Sequence, residues 1–136
     1  MLKVKDLMSA AVEVVAPDAS LHHVLAIMNG AGYRHLPVVD GKKLVGIITD
    51  RDVRLAVNSP VISEDADLDR EAVLDGVTVD RCMTPDPQCV TSETPAREVA
   101  DLLVLNKWGA MPVVDDGWLV GMISTVDFLR HYAAEG

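Results

Sequence analysis

Two short stretches carry the residue types that could do chemistry. They are Gly46-Ile47-Ile48-Thr49-Asp50-Arg51-Asp52 and Gly121-Met122-Ile123-Ser124-Thr125-Val126-Asp127. Thr49 and Ser124 fall where an apolar, strand-like run gives way to a helix-like one. A hydroxyl beside the unpaired N–H groups of a helix start, at the positive end of its dipole, suits a phosphate. Asp52 and Asp127 follow three residues on, about one helical turn. A carboxylate there can accept two hydrogen bonds from a ribose 2′,3′-diol. The same spacing is also a capping box, in which hydroxyl and acid satisfy the helix start with no ligand. Spacing alone leaves both readings standing. Arg34, His35 and Arg51 group three bases near the first stretch, whereas Gly109, Ala110 and Val126 hold the corresponding places near the second. Arginines are ordinarily solvated surface groups, but bases grouped in an acidic chain point toward phosphate contact.

Other constellations carry less. His22-His23 is a poor metal pair, because neighbouring helical residues point about 100° apart, so both read as surface polar groups. Tyr33 and Trp108 could cover a base or pack at helix ends. No Ser-His-Asp or Cys-His arrangement has support from spacing, and no catalysis is expected.

The 136 residues carry a net charge of −9 with 49% apolar residues, which suits a globular chain. Only 4% are aromatic, so the core must be aliphatic. The charge argues against binding nucleic acid or an anionic membrane. It is concentrated in residues 58–76, where six acids stand against Arg70. This stretch reads as a solvated connector. No apolar run reaches the roughly 18 residues of a membrane helix, and the first residues lack a signal peptide's apolar stretch. A cytoplasmic protein is expected, with no disulfide between Cys82 and Cys89.

The organising feature is a repeat. Residues 4–54 align with 79–129 without a gap, and thirteen of those fifty-one positions are identical. They include Val4/Val79, Met8/Met83, Pro37-Val38-Val39-Asp40 against Pro112-Val113-Val114-Asp115, Gly46/Gly121 and Asp52/Asp127. That divides the chain into a repeat over 1–57, the connector over 58–76 and a repeat over 77–136. Cys82 and Cys89 stand where the first copy has Leu7 and Val14, so both read as buried apolar positions, as do Met8 and Met83. Each copy predicts β-α-β-β-α. Short strands are expected at Val12–Val15 and Gln88–Val90. The first helix is capped by Asp18 or Ser20 in copy one, and by Thr94 with Pro95 following in copy two. Leu21, Val24, Leu25 and Met28 form one helix face, as do Val99, Leu102 and Leu103. A hairpin follows, with Pro37 at its entrance and Asp40-Gly41 at its turn. Second helices run from Thr49 to about Val57 and from Ser124 to about Ala133. The connector is expected to hold a helix from about Asp65 to Leu74.

A repeated β-α-β-β-α unit with x-P-V-V-D, a hairpin and L-V-G-h-I-[ST]-x-x-D resembles the cystathionine β-synthase (CBS) domain, and two copies resemble a CBS pair, or Bateman module. The resemblance implies an α/β (α+β) fold, with two repeats packed with pseudo-twofold symmetry. It implies a regulatory module binding AMP, ADP or ATP in clefts between the repeats, with NAD or S-adenosylmethionine as alternatives. The nucleotide-binding residues it implies are Thr49, Asp52, Arg51, Ile47, Arg34, His35 and Pro85, together with Ser124, Asp127, Met122 and Ala10. It requires no cofactor and no metal; the adenine nucleotide is a ligand. It further implies a homodimer through the second helices, whose apolar residues include Val53, Leu55, Val57, Phe128 and Leu129, and a regulated partner protein of unknown identity. The competing reading is a ligand-free module that dimerises or docks on a partner.

Overall fold

A computed structural model describes residues 1–58 and 70–135. Most of the connector, including the helix start expected near Asp65, lies outside the described residues. In chain order the helices are α1 (Val4–Leu7), α2 (Leu21–Ala31), α3 (Asp50–Asn58), α4 (Arg70–Gly76), α5 (Ala96–Asn106) and α6 (Thr125–Glu135). The strands are β1 (His35–Asp40), β2 (Lys43–Thr49), β3 (Thr84–Pro85), β4 (Ala110–Asp115) and β5 (Trp118–Ser124). The mixed order matches the expected class.

The chain forms two compact units, Glu13–Pro87 and Met1–Val12 with Gln88–Gly136. Neither coincides with a sequence repeat. Each joins the body of one copy to the leading segment of the other. Val4 N–H donates to the Thr94 carbonyl (2.9 Å), Lys5 N–H to Ser92 (3.0 Å) and Ala96 N–H to Leu2 (2.9 Å). In the other unit, Val79 N–H donates to Ala19 (2.9 Å), Asp80 N–H to Pro17 (2.9 Å) and Leu21 N–H to Val77 (3.3 Å). The two sets correspond residue for residue at an offset of 75. Val4 and Val79 are both fully buried in their adopted units.

In the unit 13–87, β1, β2 and β3 form one antiparallel sheet in that order. In the other unit β4 pairs with β5. Both hairpins carry a bulge at the same place, Val38/Val39 and Val113/Val114. The strands expected at Val12–Val15 and Gln88–Val90 shrink to single parallel bridges, Val15 to Val38 and Val90 to Val113. Pro37 and Pro112 sit third in their strands, not at the entrance. Their carbonyls accept from Val15 N–H and Val90 N–H, both at 3.1 Å. Amide and carbonyl of one strand residue face the same side, so the missing N–H falls away from the hairpin partner. The second turn has positive φ at Asp116 (52°) and Gly117 (86°), the type I′ pattern that matches strand twist.

Ser20, not Asp18, caps α2, its hydroxyl accepting from His23 N–H at 3.2 Å. Helix α5 starts one residue later than expected. Thr94 closes the preceding turn by accepting from Thr91 N–H (3.1 Å), and Pro95 takes the cap position. Leu21, Val24 and Met28 are buried with Leu36, Val38, Ile48 and Val53. Val99 and Leu103 are buried with Val4, Met111, Val113 and Ile123. Two readings need correction. The end of the connector is not simply solvated: Leu74 within it and Val77 just beyond it join the first core. Cys89 is exposed and Cys82 only half-buried. The match to Val14 misled, because Val14 is itself exposed while its neighbour Val15 is buried. Among the described residues, no helix is long and apolar enough to cross a membrane.

Candidate functional site

In the unit 13–87, β2 passes into α3 with no intervening loop. Thr49 N–H donates to Asp52 Oδ2 (2.9 Å), and Asp52 N–H donates to Thr49 Oγ1 (3.1 Å). The pair is therefore a reciprocal capping box. A carboxylate has about four acceptor positions, so a box does not exhaust Asp52. His35 stands opposite Thr49 in the sheet register. The Arg34 carbonyl accepts from Asp50 N–H at 3.1 Å, which fixes Arg34 beside the helix start. Arg51 is exposed in the first turn of α3. On the far side of β2, Thr84 and Pro85 pair with Ile47 and Gly46. Ile47, Thr49, Asp52, Arg34, His35, Arg51 and Pro85 thus belong to one unit.

The second group repeats the plan with different charge. Ser124 N–H donates to Asp127 Oδ2 (2.8 Å), its hydroxyl donates to the same oxygen (3.2 Å), and Asp127 N–H donates to Ser124 Oγ (3.4 Å). The Gly109 carbonyl accepts from Thr125 N–H at 3.0 Å. Ser9 exchanges two hydrogen bonds with Met122, at 2.9 and 3.0 Å, and Ala10 follows directly. Met122, Ser124, Asp127 and Ala10 are therefore one group. Arg130 Nη1 lies 3.9 Å from Asp127 Oδ1. It supplies a base that the comparison of matched positions missed, since its counterpart is Leu55; the acid–base spacing of three along a helix was the available signal.

Both groups are closed by a backbone approaching a glycine. A Cβ on Gly121 would lie 2.6 Å from the Ser9 carbonyl oxygen, and one on Gly46 would lie 2.9 Å from that of Thr84 and collide with Met83 Sδ. Met8 and Met83 are thus half-buried spacers at these approaches.

A CBS domain model matches residues 4–59 and again residues 79–134. The chain belongs to the CBS domain family. A CBS domain-containing protein of Dictyostelium discoideum is 38% identical over 128 residues, covering 93% of this chain and 88% of that protein. The structure of CBSX2 of Arabidopsis thaliana in complex with AMP matches with a TM-score of 0.82 and 29% identity, over 98% of each chain. A CBS domain pair solved in complex with 5′-methylthioadenosine and S-adenosyl-L-methionine also matches at 0.82, with 25% identity over 100% of this chain and 99% of that one. The fold, with its two repeats, is that of a CBS pair.

Within this CBS pair His35 differs from a simple phosphate-binding base. Burial pushes its pKa below the ordinary 6.5, Asp50 pulls the other way, and Arg34 adds to the depression. At neutral pH the ring is uncharged and offers a hydrogen bond, leaving positive charge to Arg34 and Arg51. The unfolded chain takes up this proton first, so stability rises with pH in the window just below 6.5. Chemical denaturation below and above that pH should show the loss on the acid side, and His35→Gln should remove it. An unchanged pH dependence in the variant would assign the effect elsewhere.

Ser9, which pairs with Met122, and Thr84, which pairs with Ile47, border the two groups without standing out in the sequence. Both are hydroxyl residues at matched positions, and that match was visible.

Proposed function

We propose that this CBS pair is a regulatory sensor module that binds adenine nucleotides at its two strand-to-helix sites. The observation that carries this reading is the duplicated hydroxyl–carboxylate box, each closed by a backbone segment packed on a glycine. Relatives of the same fold were solved with AMP and with S-adenosyl-L-methionine and 5′-methylthioadenosine. Asp52 and Asp127 hold the ribose diol, Thr49 and Ser124 face the phosphate, and Ile47, Met122, Ala10 and Pro85 border the adenosine. Changing Asp52 or Asp127 to Ala should weaken nucleotide binding by about 2 kcal/mol, the worth of hydrogen bonds to a charged group. Calorimetric titration checks this, and unchanged affinity in both variants would remove the ribose role.

The sites are inequivalent. Arg34 and Arg51 give the first site a preference for di- and triphosphates that should weaken as salt rises. Equal affinity for adenosine and its phosphates would count against it. A thermal-shift screen with AMP, ADP, ATP, NAD and S-adenosylmethionine identifies the ligand. A ligand at 100 times its Kd stabilises by roughly 2.7 kcal/mol.

A second reading rests on exposed apolar residues. Val53 is buried, and Val57 and Phe128 pack against their own cores. Leu55 and Leu129, by contrast, are 58% and 67% exposed. A cytoplasmic homodimer covering such faces, docked on a regulated partner, follows from this reading. Light scattering that returns the monomer mass at micromolar protein would exclude the dimer.

A further inference from the structure

The leading segment that borders the Ser124–Asp127 group is held by an ionic clasp that its counterpart lacks. Lys3 Nζ lies 2.6 Å from Glu93 Oε2, and Lys5 Nζ lies 2.8 Å from Glu93 Oε1, so both carboxylate oxygens are engaged. The two lysines hold the Glu93 carboxyl at a pKa of about 2, and Glu93 in turn raises the Lys5 ammonium. The clasp is continuous with the site. Asp6 closes a box on the Lys3 amide (Oδ2 accepting at 2.8 Å), α1 occupies Val4–Leu7, Met8 N–H returns to the Val4 carbonyl (2.9 Å), and Ser9 pairs with Met122. Met122 lies two residues before Ser124. In the other unit Thr78 and Asp80 stand where the clasp has Lys3 and Lys5, and Asp18 stands where it has Glu93, so the acid is kept and both lysines are lost. That segment docks by the same backbone bonds, and among the described residues the charge contact beside it is His22 Nδ1 to Asp75 Oδ1 at 2.5 Å, with no lysine pair on one carboxylate.

We propose that Glu93, with Lys3 and Lys5, is a positioning group. It sets how firmly Ser9 and Ala10 are seated against Met122, and therefore the affinity of the Ser124–Asp127 site without touching its ligand. The second clause rests on the nucleotide reading above; the first does not.

Amide hydrogen exchange on the full chain tests the first clause without ligand. Exposed ion pairs are weak singly, so in Glu93→Gln the Ser9 and Met122 amides should exchange about two- to five-fold faster, with the Thr84–Ile47 pairing unaffected. High salt should reproduce this in the parent chain but add little in the variant, and Glu93→Asp should restore part of the protection. Parent-like exchange at Ser9 and Met122 in Glu93→Gln would overturn the clasp. Titration with AMP, followed at the Ser124 and Thr49 amides, tests the second clause. Affinity should fall about two- to five-fold at Ser124 only. Equal losses at both sites, or none, would overturn the coupling. AMP moving neither amide in the parent chain would overturn the coupling to this ligand, and neither amide moving with AMP, ADP, ATP, NAD or S-adenosylmethionine would overturn the nucleotide reading as well, while the exchange result still decides the clasp.

Discussion

Val4→Asp should cost about 4 kcal/mol or more and should destabilise the unit built on the second copy, although Val4 belongs to the first. Val4 is fully buried among Val90, Val99, Leu103, Met111, Val113 and Ile123. A carboxylate in that seat meets no basic partner in the cluster. Even after relaxation an unpaired buried ion costs several kcal/mol, against a total stability of about 5–15 kcal/mol for a domain. Hydrogen exchange should show protection lost first in β4 and β5 and later in β1 and β2. Val79→Asp should invert the order, because Val79 is buried with Leu21, Val24 and Val38. Loss confined to the copy that carries the substitution in sequence would refute this assignment.

Gly121→Val should cost about 3 kcal/mol, the upper end for overpacking. A Cβ there would already stand 2.6 Å from the Ser9 carbonyl oxygen and 3.1 Å from Met8 Sδ. The sulfur can swing aside, but the carbonyl is backbone and is tied to Met122 N–H at 3.0 Å. The leader must therefore lift from β5, and the Ser9–Met122 pairing should lose its protection. Thermal unfolding gives the cost and exchange at Met122 gives its location. A variant of parent stability with Met122 still protected would show that the approach is looser than drawn.

The sequence made the repeat legible because identical residues recur at one offset. The hairpins, the second helices and the hydroxyl–carboxylate pairs all followed from local patterns. What it hid was non-local. Nothing in Val4 or Val79 says which copy each will be buried against, since both cores are aliphatic and equally receptive. Leu74 is hidden among acids because charge averages over a window while burial is decided residue by residue. Cys89 failed for the related reason that a valine at a matched position marks a strand-like residue, not the side on which it points. Arg130 was missed because comparing matched positions finds what the copies share and passes over what one has gained.

The exchange of leaders also fixes where the chain can be cut. Residues 13–87 contain every member of the first apolar cluster, from Val15 to Val79, in one uninterrupted stretch. A scission between Pro87 and Gln88, after a further one between Val12 and Glu13, would release that stretch with its core whole. A scission between Val57 and Asn58, where the repeat itself ends, would strip the same core of Leu74, Val77 and Val79. For a protease or a cloning boundary, then, the natural module, 13–87, starts 12 residues after the repeat 1–57 does (13 − 1) and ends 30 residues after it (87 − 57).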